Sequence, residues 1–360
     1  MARSAALVMI LLASNLAGVP ALAAEDVTPV AVVSAADKGV SFAERLAARE
    51  IRRYYYVRTA RLLPMVENLD VQGDGALIVI GVKSCPTVAA LLTDGALKAA
   101  VQGLAAEQYL IRTIRRRDRS VVLVAGGDPT GTLYGAYRLA EQMGVRFSMH
   151  GDVIPDQPMA PAFAVGDELG KPLFDRRGIQ PFHDFPEGPD WWNVDGYKAI
   201  LGQLPKMRMN FFGLHTYPEG GVGPEPLTWI GRPEDIQNDA FVKHSYPSRH
   251  FTTLNGTWGY RSMKTGDYLF GAAAMYDRDG FGVDYMRGMA PWPSTPESQN
   301  DLFHRMGVVL NDSFRWARRL GIKTCIGTET PLIIPTPVKE RLKAQGKNPA
   351  DPAAVQEIYE

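Results

Sequence analysis

Apolar positions recur along the chain with two rhythms, and the second begins after residue 172. In the first part, Leu46, Ile51, Tyr54, Tyr55, Arg58, Leu62 and Leu63 lie close to a 3.6-residue period. That spacing predicts a helix over 42–66, closed at Pro64. Residues 76–81, Ala-Leu-Ile-Val-Ile-Gly, predict a buried strand, and helix follows over 87–103. From 109 to 116 the pattern alternates, with Tyr109, Ile111, Thr113 and Arg115 on one side and Leu110, Arg112 and Ile114 on the other. This is the mark of a half-exposed strand. A second strand over 120–125, reached through Arg117-Asp118-Arg119, makes a hairpin with it. A helix over 130–143 presents Leu133, Ala136, Tyr137 and Ala140 on its apolar face and stops at Gly144. Residues 25–40 carry no such rhythm and read as a mobile lead-in. Residues 25–155 therefore predict a small α+β sandwich domain with one sheet.

Residues 156–172 are rich in proline and read as a linker. A strand over 177–183, a helix over 194–207 and a strand over 209–215 follow. A long insert, 220–293, precedes a helix over 301–320, a strand over 322–327 and more helix to the end. Strand and helix in alternation, with polar residues after each strand, is how a (β/α)₈ barrel begins. A complete barrel takes about 250 residues. The reading for 173–360 is thus α/β, an incomplete (β/α)₈ barrel represented by its first three strands, and the chain is expected to be the front of a longer protein.

The start of the chain sets the expected compartment. Arg3, the uncharged apolar run 5–12 and the small-residue pattern Ala21-Leu22-Ala23 form a secretory signal over 1–24. The run is shorter than the ~20 residues that span a bilayer, so cleavage and a secreted or periplasmic protein are expected, with no membrane partner afterwards. The two cysteines, Cys85 and Cys325, do not make a disulfide framework; both are expected to be buried and unpaired. With 39 basic and 39 acidic side chains and no basic block, nucleic acid is not the expected partner. The junction Gly126-Gly127-Asp128-Pro129-Thr130-Gly131 lacks Gly-Lys-Ser/Thr and the G-x-G-x-x-G spacing. Its glycines are therefore assigned to close helix–sheet packing and not to a phosphate. No cofactor or metal is expected: His150 is the one histidine before residue 183, and His-Glu-x-x-His is absent. Composition does not set the oligomeric state.

Residues 121–155 run from a strand through Gly-Gly and Gly-x-x-Tyr-Gly into a helix and Gly-Val-Arg-Phe. They resemble the accessory domain that precedes the barrel in bacterial α-glucuronidases and β-hexosaminidases. Residues 176–218 resemble the first two barrel strands of the same group. The resemblance implies an exported glycoside hydrolase acting on polysaccharide or oligosaccharide, with a carbohydrate as partner. It also implies that the principal catalytic carboxylates come from the fourth strand or later, beyond Glu360, so no catalytic pair is carried over. A non-catalytic carbohydrate-binding protein with a degenerate barrel, a β-hexosaminidase-like hydrolase and a lyase stay open as alternatives.

Barrel sites form at the C-terminal ends of the strands. The candidates there are His183 and Asp184, Trp191 and Trp192, His215 and Tyr217, and Glu329, the carboxylate best placed for direct chemistry. Histidines and carboxylates offer hydrogen bonds to sugar hydroxyls, and indole faces pack on the C–H face of a sugar. Each has a bland alternative: a core histidine, tryptophans that pack at the start of the next helix, or Glu329 in a structural ion pair. In the insert, Arg249 and Arg261 are candidates for a uronic carboxylate.

Overall fold

The computed structural model describes residues 26–35, 39–181, 192–215, 228–238, 241–244, 295–328, 332 and 334–359. The expected signal, 1–24, lies outside the described residues. The chain begins with β1 (Asp26–Val27) and β2 (Pro29–Val33), then α1 (Phe42–Thr59), β3 (Met65–Val66), β4 (Ala76–Val82), α2 (Pro86–Ala89) and α3 (Gly95–Gln102). The hairpin β5 (Tyr109–Arg116) and β6 (Arg119–Gly126) leads into α4 (Pro129–Gln142). A small hairpin, β7 (Arg146–Ser148) and β8 (Gly151–Val153), and two short strands, β9 (Phe163–Ala164) and β10 (Glu168–Gly170), complete this part.

One six-stranded mixed sheet organises it, in the order β10-β5-β6-β4-β2-β3. Strands β6, β4, β2 and β3 are parallel, and β5 runs antiparallel to both β6 and β10. Successive side chains of a strand face opposite ways, and here both faces are covered. Val32, Ile78, Ile80, Ile111, Val122 and Val124 meet α1 and α4 on one side. Val33, Leu77, Val79, Leu110 and Leu123 meet α2 and α3 on the other. The arrangement is three layers with helices on both faces. The expected half-exposure of β5 is corrected accordingly: Tyr109, Leu110 and Ile111 are all buried.

Three further expectations change. The lead-in 25–40 contains β2, an interior strand whose Val32 and Val33 are fully buried between β4 and β3. The helix predicted over 42–66 starts with a Ser41–Glu44 capping box and ends at Thr59, with Ala60 left-handed at φ 57°. That stop frees Met65–Val66 to pair in parallel with Val32–Val33. The expected linker 156–172 supplies β9, which pairs with β1, and β10, which extends the main sheet beside β5.

The second part contains β11 (Gly178–Ile179), α5 (Val194–Gln203), a 3₁₀ turn at Pro205–Met207, β12 (Phe211–His215), α6 (Pro296–Arg319), β13 (Lys323–Gly327), α7 (Thr336–Ala344) and α8 (Pro352–Tyr359). The three strands form a parallel sheet in the order β11-β12-β13. Phe212 and Leu214 of β12 pack on Tyr197, Ile200 and Leu201 of α5 and on Leu310 and Ala317 of α6, and this cluster is continuous with the α1–α4 core. A smaller cluster joins Val242 and Phe303 to Val338, Leu342 and Ile358. Cys85 is buried as expected, but Cys325 is exposed. It lies on the edge strand β13, opposite Gly213, where no described element covers it.

No described helix is long and apolar enough to cross a membrane.

Candidate functional site

The two β–α–β connections point the C-terminal ends of β11, β12 and β13 the same way. At that end His215 is level with Gly327. Alternation along β12 puts Phe212 and Leu214 against the helices, so Phe211, Gly213 and His215 take the opposite face. His215 is half-buried there. The side chain of Gln180, just past β11, lies against Gly213: a Cβ at that glycine would sit 3.5 Å from the Cβ of Gln180. His215 thus stands at the strand ends, on the face turned away from the helices, which is where a parallel α/β sheet presents its chemistry.

The opposite ends of the strands are anchored to the first part of the chain. Glu107, left-handed at φ 62°, accepts from Arg177 Nη2 at 2.5 Å and from Asn210 Nδ2 at 2.8 and 2.9 Å. Asn210 Nδ2 also donates to Asp175 O at 2.8 Å, and Asn210 Oδ1 accepts from Arg177 N at 2.9 Å. Lys323 N donates to Asn210 O at 2.8 Å. Arg177, Asn210 and Lys323 stand at the N-terminal ends of the three strands, so one carboxylate of the first part of the chain registers the start of the sheet and leaves the other end open. Sequence periodicity carries no sign of this joint, because Glu107 and Asn210 lie in loops.

A second joint uses Asp152. Lys206 Nζ and Tyr54 Oη each donate to its carboxylate at 2.7 Å, and Arg53 lies 3.5 Å away. Burial pulls the Asp152 pKa upward, but the hydrogen bonds from Lys206 and Tyr54 and the charges of Lys206 and Arg53 outweigh it and hold the carboxyl below its ordinary value. Burial, the Glu50 carboxylate and Asp152 push the Tyr54 phenol up. Arg208 Nη2 meets Glu141 Oε2 at 2.6 Å and adds a third tie.

The glycine-rich junction is explained by packing. A Cβ on Gly127 would sit 1.9 Å from Ala105 O, and one on Gly131 2.3 Å from Gln108 O. The loop before β5 lies directly on the start of α4, which leaves no room for a side chain at either position.

Of the expected site residues, the structure describes Trp192 and His215. Trp192 is corrected: it is 6 % exposed and packs edge-to-face on Tyr197 at 5.2 Å, inside the core, so its indole is no platform for a sugar. Tyr197 in turn meets Phe212 at 6.2 Å. His183, Asp184, Trp191, Tyr217, Arg249, Arg261 and Glu329 lie outside the described residues.

Residues 65–139, from β3 to most of α4, match the family model described as glycosyl hydrolase family 67 N-terminus. One similar solved structure is described as a novel family GH115 4-O-methyl-α-glucuronidase with specificity for decorated arabinogalactans. It is 16% identical with a TM-score of 0.38, over 82% of this chain and 40% of that one. Another, described as a GH138 enzyme targeting pectin rhamnogalacturonan II, is 11% identical with a TM-score of 0.41, over 89% of this chain and 26% of that one. The chain therefore spans less than half the length of either. No curated protein sequence matches it. The chain is glycoside hydrolase-like. Its resemblance is to the N-terminal domain of glycosyl hydrolase family 67, over residues 65–139.

Proposed function

We propose that this chain is the N-terminal part of an exported glycoside hydrolase that acts on uronic-acid-bearing polysaccharide fragments in the manner of an α-glucuronidase. The observation that carries the reading is the family match over 65–139. The parallel strands that follow support it, because they present His215 at their C-terminal ends, where a barrel enzyme binds substrate. On this reading β11, β12 and β13 are the first strands of a (β/α)₈ barrel, and the segments after them supply part of the substrate pocket. His215 gives a hydrogen bond to a sugar hydroxyl. Glu329, two residues past β13, is the carboxylate nearest the chemistry, and its partner comes from a later strand. Arg249 and Arg261 suit the uronic carboxylate, which a guanidinium grips through two parallel N–H···O bonds. Residues 1–24 direct export and are removed.

The test uses the product of the whole open reading frame. It is assayed for release of glucuronic acid from glucuronoxylo-oligosaccharides and of hexosamine from an aryl β-hexosaminide. Glucuronic acid release is expected, together with a mature N-terminus near Glu25. Hexosamine release alone would move the assignment to the hexosaminidases, and binding without hydrolysis of either substrate would overturn the enzyme reading.

A further inference from the structure

The last two turns of α6 carry Arg315, Arg318 and Arg319. Their i, i+3, i+4 spacing puts them on one face of the helix. Like charges at such spacings destabilise a helix. The helix dipole favours cations in the last turn, which accounts for basic residues there but not for three crowded on one side. Among the described residues none of the three forms an ion pair, whereas Arg177, Arg232 and Arg341 all do.

These arginines line a cleft of about 580 Å³ between the two domains. Phe42 at the start of α1, Thr130 at the start of α4 and Gly321 line it as well. Arg319 is fixed in place: its guanidinium carbon lies 4.0 Å from the centroid of the Phe42 ring and 5.5 Å from that of Trp316. Stacking uses the faces of a guanidinium and leaves its in-plane N–H donors for a planar acid. Gly321, at φ 79°, keeps the domains close, since a Cβ there would sit 2.2 Å from Thr130 Oγ1. The cleft thus combines uncompensated guanidinium charge with an aromatic and aliphatic wall. A carboxylate matches the charge, and the C–H face of a sugar ring matches the wall. Phosphate would match only the charge.

We propose that this cleft is an accessory subsite for a carboxylate-bearing saccharide, namely a uronic acid unit of the polysaccharide. The ligand class rests on the carbohydrate reading above; the place does not. Gly321 precedes β13, whereas His215 is level with Gly327 at its far end. The five residues of β13 at about 3.3 Å each put the two levels roughly 16 Å apart. The subsite would hold the substrate chain at the domain boundary, away from the strand ends.

The test is calorimetric titration of the purified chain with glucuronic-acid-substituted xylotetraose, unsubstituted xylotetraose and inorganic phosphate. The acidic sugar is expected to bind, more weakly as salt rises, and the neutral sugar at least about tenfold more weakly. Arg315→Ala with Arg318→Ala should reduce affinity for the acidic sugar at least about tenfold, the loss of charge-assisted hydrogen bonds. Both side chains are exposed, so an unchanged melting temperature is the control for folding. Arg315→Lys with Arg318→Lys should recover only part of the affinity, because an ammonium lacks the planar fork. No binding of the acidic sugar, binding indifferent to the Ala substitutions, equal binding of the neutral sugar, or phosphate binding as tightly would each overturn the proposal. Turnover plays no part in the readout, so a whole protein that hydrolyses no glycoside would sink the hydrolase reading and leave this one standing.

Discussion

At the residue scale, Asp152 ties Lys206 to Tyr54 through its two oxygens. Lys206 and Asp152 keep only 11% and 10% of their side-chain surface exposed, so solvent screens the pair weakly. Removing one partner of such a pair strands the other charge and costs about 3 kcal/mol. Lys206→Met is expected to lower the unfolding free energy by about that amount at pH 7, measured by urea denaturation. The pH dependence follows from the lowered Asp152 pKa. A depressed carboxyl contributes stability that is fully present above its unfolded pKa, about 3.9, and is lost as pH falls through the folded value. The stability gap between the wild type and Asp152→Asn should therefore stay constant from pH 7 to about 5 and narrow below about 4. A gap that widened on acidification would contradict the assignment. Trp192 makes a different point. Tryptophan beside a helix start reads equally well as a sugar platform or as packing, and only its contact with Tyr197 decides. Trp192→Ala should cost about 3–5 kcal/mol in urea unfolding, while the folded variant keeps its oligosaccharide affinity in calorimetry.

At the element scale, α4 shows how much a single cap can organise. Asp128 accepts from Gly131 N at 2.7 Å, as an N-cap should, and from Glu107 N at 2.9 Å. It therefore starts the helix and also holds the loop residue that anchors the strands. An N-cap substitution alone costs about 1 kcal/mol. Asp128→Ala is expected to cost about 2 kcal/mol, since a second hydrogen bond is lost with it, and thermal unfolding in a calorimeter measures the loss. The elements best legible in the sequence were those with a long, uninterrupted signal. Residues 76–81 and 120–125 emerged as β4 and β6, and 130–143 as α4, each within a residue or two. β2 was missed because five residues carry no period of their own, and their strand identity comes from pairing with β4 across the whole of α1. The end of α1 was misplaced for a related reason. Leu62 and Leu63 continue the helical rhythm, yet Leu62 is 59% exposed and Leu63 buried, because the chain has already turned toward β3.

At the scale of the whole molecule, the two sheets share one continuous core and, among the described residues, three ionic ties. Glu107 is the tie that reaches the strands directly. Glu107→Ala would leave Arg177 and Asn210 without their shared acceptor, and buried donors so stranded are costly. Hydrogen exchange is expected to rise in β11 and β12 while β4 and β6 keep their protection; a uniform rise across both sheets would show that the two sheets unfold as one unit regardless of the joint. The expected substrate residues were legible only as positions after strands. Of these His215 closes β12, and Trp192 is withdrawn into the core.

What the sequence determined by itself was local: which segments are apolar enough to be strands or helices, that the glycine-rich junction holds no phosphate motif, and that a second rhythm begins after residue 172. These follow from side-chain spacing and backbone preference, which act over a few residues. The tertiary structure decided the sheet order, the burial of both faces of β5, the exposure of Cys325 and the inward turn of Trp192. It also decided which carboxylates join the two sheets and that three arginines on α6 line one cleft with Phe42. Each of these depends on groups far apart in the chain, such as Glu107 and Asn210, whose meeting no local preference encodes.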